Sequence, residues 1–102
     1  MDTISVSNIE IVPVRFEDGL VAFASCSINE AFYLGSLAIH SCPNNSLGFR
    51  IVYPSKKIKS SGKEVPIFFP FKKSAEEVVT KAIVSKYLEL MSNFHHVKNE
   101  EG

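Results

Sequence analysis

Residues 54–63 read PSKKIKSSGK, four lysines and no acid in ten positions. Ammonium groups at that density need no cofactor to do chemistry. They neutralise polyanions, and phosphate backbones above all, displacing the counterions those backbones hold. Ser60, Ser61 and Gly62 add a pliable stretch whose backbone amides can approach phosphate closely. Arg50 and Ser55 flank the lysines on one side, and Lys72 and Lys73 follow at a distance. The candidate polyanion contacts are therefore Arg50, Ser55, Lys56, Lys57, Lys59, Lys63, Lys72 and Lys73.

The chain as a whole is formally neutral, with 11 basic and 11 acidic residues. That balance is a cancellation between segments. One basic residue against five acidic ones gives residues 1–49 a net of −4, and nine against three gives residues 50–86 a net of +6. The last segment, 87–102, carries one against three, a net of −2. Exposed charges more than roughly 8 Å apart are largely screened from each other, so the local field survives. A second account of the same lysines stands beside the first. Lysines at sheet edges discourage aggregation, and the sequence pI of 6.8 lies below the value of about 9 typical of basic nucleic-acid domains.

Other chemistry finds no support. The chain has no glycine-rich phosphate loop, no G-x-S-x-G and no H-E-x-x-H. His95 and His96 are adjacent, and neighbouring helical residues point about 100° apart, a poor geometry for one ion. His40 sits on the third strand without an obvious acid or nucleophile beside it. The expectation is a protein without enzymatic activity, metal, cofactor or small-molecule substrate. Cys26 and Cys42 are the two cysteines. In a hairpin turning near Asn29 and Glu30, residue i faces residue 60 − i, so Cys26 lies opposite Leu34. Cys42 is then roughly 26 Å away at strand rise, too far for a disulfide. No apolar run approaches the ~20 residues needed to cross a bilayer, and the first residues lack a secretory pattern. These features predict a cytoplasmic protein with no membrane partner.

The elements that must carry the lysines follow from periodicity. Strands are expected over 8–16, 20–29, 32–41, 49–53 and 64–69. Asp18-Gly19 marks the first hairpin turn. Leu20, Ala22, Ala24, Cys26 and Ile28 alternate along one face, and Phe49, Ile51 and Tyr53 do so further on. Gly35 marks a bulge or close approach, and Pro66 confines the last strand to an edge. Ser74-Ala75-Glu76-Glu77 reads as a capping box. Beyond it Val79, Ile83, Tyr87, Leu90, Met91 and Phe94, with Ala82, form one helical stripe from 75 to 92 or 93. The predicted architecture is α+β: a five-stranded, mostly antiparallel sheet followed by one C-terminal helix. It forms one domain over 1–94, with a frayed tail over 95–102. Five strands span roughly 20 Å and one helix covers about 10 Å. The second strand also offers Val21 and Phe23 on its other face, and the third carries apolar residues at both parities. A homodimer is therefore expected to cover the remainder.

The order NIEIVPVRFEDGLVAFASCSINEAFYLGSLAIHS, GFRIVYPSKK, a polar loop with Gly62, a strand running to Pro70 and a helix containing KYLEL resembles the sporulation and septation protein G (SpoVG) family of bacteria over about residues 4–91. The most specific element is the apolar strand leading into Pro54-Ser55-Lys56-Lys57. The resemblance implies a small dimer with an antiparallel sheet and a C-terminal helix. It also implies a regulator that binds DNA, and in some members RNA, without catalysis, and it places the nucleic-acid contact around PSKK. This chain departs from the family in carrying Lys57 where arginine is usual and apolar Val65, Ile67, Phe68 and Phe69 in the following strand. Lysine is a point charge and lacks arginine's fork onto guanine, which favours phosphate contact over base reading. An alternative reading is a protein-interaction adaptor in cell-division or developmental control, with Phe68, Phe69, Phe71 and Tyr53 as its contacts.

Overall fold

Turn chemistry sets the first two hairpins. The computed structural model describes residues 4–101, with side chains from 4 to 93. Strand β1 (Val6–Glu17) meets β2 (Leu20–Ile28) through Asp18 and Gly19. Both turn residues have positive φ, 55° and 89°, the conformation that lets a two-residue turn match the twist of the strands. Strand β2 meets β3 (Phe32–Ser41) through a turn in which Asn29 and Glu30 have φ of 53° and 54°. Asn29 also ties down the start of the chain. Its amide donates to the Ser5 carbonyl and its Oδ1 accepts from the Ser5 amide, both at 2.8 Å.

Strand β4 (Phe49–Val52) pairs with β3, closing a four-stranded antiparallel sheet in the order β1-β2-β3-β4. Next to the β2–β3 turn the register places Cys26 opposite Leu34, as expected. It then shifts by one, because β3 carries an extra residue where Ser36 adopts φ 57°. This bulge explains the mixed parity of the third strand. Leu34 lies before it and Leu37 and Ile39 after it, and all three are buried on the same side. A second bulge at Asn8, φ 51°, does the same for Val6 against Ile9 and Ile11 in β1.

One face of the sheet is covered by α1 (Lys73–Glu101). Ala22, Ala24, Cys26, Leu34, Leu37 and Ile39 pack against Val79, Ile83 and Tyr87 of the helix. Small residues on β2 let the helix approach closely, and the larger ones come from β3 and α1. Fully burying one such large aliphatic side chain is worth about 1.5–3 kcal/mol. Phe49, Ile51, Tyr53 and Met91 ring this core. Val84 is buried as well, beside the expected stripe, whereas Leu90 is exposed. The side chain of Phe94 lies outside the described residues.

Three expectations need correction. The sheet has four strands, and the segment expected as a fifth strand leaves it. Pro54 ends β4 by offering no amide. The chain then forms a separate two-stranded sheet from β5 (Ser55–Lys57) and β6 (Glu64–Pro66). Pro66 stops β6 after three residues for the same reason, so 67–69 are not strand.

The predicted dimeric sheet is overturned with it. One of its two grounds was an inner face too wide for one helix, yet on the narrower sheet the inner residues are buried within the single chain. The outer face stays bare. Val12, Phe23, Ala38 and Val52 sit opposite one another in a row across all four strands.

The third correction concerns the helix. The Glu76 amide donates to the Lys72 carbonyl at 3.0 Å, so the first helical bond starts one residue before Lys73. Ser74 therefore lies inside the first turn and does not cap it. The helix also runs past the predicted end, to Glu101. The expected frayed tail, 95–102, and the side chains of His95 and His96 lie outside the residues whose side chains are described. Among the described residues no helix is long and apolar enough to cross a membrane.

Candidate nucleic-acid interface

The lysine segment is a hairpin of its own. Ser55 faces Pro66, Lys56 faces Val65 and Lys57 faces Glu64. The ladder extends one step past the strands, where the Ile58 amide donates to the Lys63 carbonyl at 2.7 Å. Gly62, at φ 75°, makes the reversal and donates to the Ile58 carbonyl at 2.7 Å. A residue with a side chain would be strained there. The Lys63 amide donates to Ser61 Oγ at 3.3 Å. At the base, the Ile67 amide donates to the Pro54 carbonyl at 2.9 Å and ties the two ends together.

Pairing sorts the lysines by face. Residues directly opposite in an antiparallel pair share a face. Lys56 therefore lies with Val65, while Ser55, Lys57 and Glu64 lie on the other side. Glu64 Oε1 accepts from Ser55 Oγ at 3.2 Å, and its carboxylate offsets part of the Lys57 field. Lys56, Lys57, Lys59 and Lys63 are all exposed, and none has an ion-pair partner among the described residues. The sequence could not reveal the Lys56–Lys57 asymmetry, because it depends on which residue of 64–66 stands opposite each lysine.

Lys72 and Lys73 enter the helix at the positive end of its dipole, with Glu76 in the first turn to counter them. Arg50 falls elsewhere. It lines an open cleft of about 670 Å³ between β4 and the helix, with Asn45, Glu76, Glu77, Thr80 and Lys81. There its charge meets two carboxylates. Arg50 is therefore not brought together with the hairpin lysines.

Sequence reasoning missed a groove at the base of the hairpin. It is lined by Tyr33, Gly35, Ser36, Pro54, Ile67 and Phe68 and has a volume of about 410 Å³. Tyr33 folds its ring over Gly35, so closely that a Cβ on Gly35 would stand 2.7 Å from it. The ring itself is 78% exposed. Beyond the groove Phe69 is half exposed and Phe71 is 92% exposed. The signal available in the sequence was Gly35 two residues after Tyr33 on a strand, where a ring can lie over the bare backbone.

Tyr53, a proposed contact, belongs to the core instead. Burial, with a smaller contribution from the Glu76 carboxylate, pushes its phenol up to about 12. The Thr80 hydroxyl approaches it, but the buried Tyr53 Oη closes no hydrogen bond of good geometry. Cys26 is a buried free thiol whose pKa is raised by burial, and Cys42 is a half-buried free thiol. Among the described residues no cluster of His, Cys, Asp and Glu has the makings of a metal site. No protein-family model matches the chain, and no curated protein matches it either.

Proposed function

We propose that this protein is a non-enzymatic, cytoplasmic regulator that binds nucleic acid, DNA or RNA, by seating phosphates on the lysine hairpin. One observation carries the reading. A short hairpin, set apart from the main sheet, holds Lys56, Lys57, Lys59 and Lys63 exposed and without ion-pair partners among the described residues. The hairpin is a unit separate from the four-stranded sheet, so its lysines do not guard the edges of that sheet. The resemblance to the SpoVG family points the same way. Ser55 completes the hairpin's contact set, with Lys72 and Lys73 as a second cationic group at the helix entry.

The test is a fluorescence-anisotropy titration with labelled DNA and RNA in dilute buffer. Replacing Lys56, Lys57, Lys59 and Lys63 together by Gln should weaken binding sharply while the circular dichroism spectrum stays unchanged. Undiminished binding by that variant removes the hairpin from the reading.

The adaptor alternative rests on the exposure of Phe69 and Phe71. Capture of a protein partner that resists salt and nuclease, and is lost in Phe71→Ser, would favour it.

A further inference from the structure

We propose that the groove at the hairpin base takes single-stranded nucleic acid, with unpaired bases stacking on Tyr33 and Phe68, and a further base on Phe71 just beyond it, while Lys56 holds the adjoining phosphate. This rests on the reading above and narrows it to a ligand class and to residues outside the lysine loop.

Three observations meet at this place. First, the groove joins an exposed ring on β3 to the start of the apolar and aromatic run 67–71. Tyr33 forms one wall and Phe68 and Ile67 the other, and the bare backbone of Gly35 lets the Tyr33 ring lie against the strand with its outer face exposed. Second, the hairpin rises from the groove's own wall. Pro54 lines it, Ser55 begins β5 one residue later, and the Ile67–Pro54 bond locks the two together. Third, the lysine on the apolar side of the hairpin is Lys56, opposite Val65 and away from Glu64. Phe71 then precedes Lys72 and Lys73, repeating the combination of exposed ring and cation.

An exposed aromatic face beside a cation is what a single strand needs and a duplex cannot use. In a duplex the base faces are already stacked on each other. In a single strand they are free, and a base on an aromatic ring is worth several-fold to a hundredfold in affinity whatever its sequence.

A lipid surface would want the opposite arrangement. A hairpin that enters a membrane must lead with apolar residues, and the tip here is Lys59-Ser60-Ser61-Gly62-Lys63. The apolar residues sit at its base, where that tip would hold them off a flat surface.

The experiment compares four probes with the full chain: a single-stranded DNA of about 16 nucleotides, its duplex, the same strand with abasic sites in place of every base, and anionic phosphatidylserine vesicles. The single strand should bind about tenfold or more tighter than either the duplex or the abasic strand. Tyr33→Ala and Phe71→Ala should each weaken the single strand about five- to tenfold and leave the abasic strand unchanged. Tyr33→Phe, which keeps the ring, should restore tight binding. Phe71 is 92% exposed, so Phe71→Ala keeps the test valid if Tyr33→Ala disturbs the fold.

Equal affinity for the duplex, or equal loss on the abasic strand, overturns the stacking proposal while leaving phosphate binding intact. Binding to vesicles that Phe71→Ala abolishes assigns the strip to lipid and overturns it too. So does self-association of the free protein that disappears in Phe71→Ala. Failure to bind any of the three nucleic-acid probes sinks the hairpin reading itself.

Discussion

The ring of Phe49, on β4, meets the ring of Tyr87, on α1, edge to face, with centroids 5.2 Å apart and planes at 68°. This contact clamps the helix to the far edge strand of the sheet, at a separation where aromatic pairs gain beyond their buried area. Tyr87 is nearly fully buried. Tyr87→Ala should cost about 3 kcal/mol, read as a lower urea midpoint. The hairpin lies on a separate sheet, so binding should survive wherever the variant remains folded.

The bulge at Ser36 makes a second prediction. Ser36 has φ 57°, a conformation glycine adopts without penalty. Ser36→Gly should leave stability unchanged or raise it by up to about 1 kcal/mol. Deleting Ser36 removes the extra residue of β3 and leaves Leu34, Leu37 and Ile39 in regular alternation on one face, so the deletion should be tolerated far better than loss of a buried residue such as Leu37. Thermal unfolding of the two Ser36 variants beside Leu37→Ala checks this.

Tyr53 predicts a loss of stability in alkali. Its folded pKa, about 12, lies above the unfolded value of roughly 10. The folded state therefore keeps a proton that the unfolded state gives up. The stabilising effect is complete below pH 10 and is lost as pH rises toward 12. Tyr53→Phe should flatten that decline in urea melts across the window. At neutral pH the same variant should be neutral or stabilising, since it removes a buried hydroxyl without a partner.

The two thiols should react in order. Cys42 is half-buried, while Cys26 is fully buried and its thiol is pushed up by burial. A thiol reagent should label Cys42 first under native conditions and Cys26 only on unfolding. Simultaneous labelling would mean the helix opens from the sheet far more readily than the packed core implies.

The faces of the hairpin give a fifth prediction. Lys56 lies with Val65, and Lys57 with Glu64. Lys56→Ala should weaken nucleic-acid binding more than Lys57→Ala, and Glu64→Gln should strengthen it. Equal effects of the two lysine variants in an anisotropy titration would show that the faces are not distinguished.

What was legible in the sequence was mostly local. Asp18-Gly19 gave its turn because both residues accept positive φ, and the alternation of Ala22, Ala24 and Cys26 gave the buried face. The facing of Cys26 and Leu34 followed from the turn position. The bulge in β3 was legible from Gly35, which marked a bulge or close approach; its extra residue is the neighbouring Ser36. The one at Asn8 was not, although asparagine accepts positive φ more readily than most residues. Pro66 was read as a sign of an edge strand, but acting with Pro54 it removed the segment from the sheet altogether. The helix entry slipped because the Lys72 carbonyl accepts the first helical bond ahead of Ser74. At the candidate site the lysines were plain from composition. The groove beside them was not, since Tyr33 and Phe68 are 35 positions apart in sequence.

The most direct test of the hairpin's role is the salt dependence of binding to one labelled oligonucleotide, for the wild-type chain and for the variant with Lys56, Lys57, Lys59 and Lys63 changed to Gln. Each phosphate neutralised contributes about 0.7 to 0.9 to the slope of log K against log salt. The account predicts that the variant's slope is shallower by about 3, on the same principle. Parallel slopes for the two proteins would place the phosphates elsewhere on the molecule and contradict it.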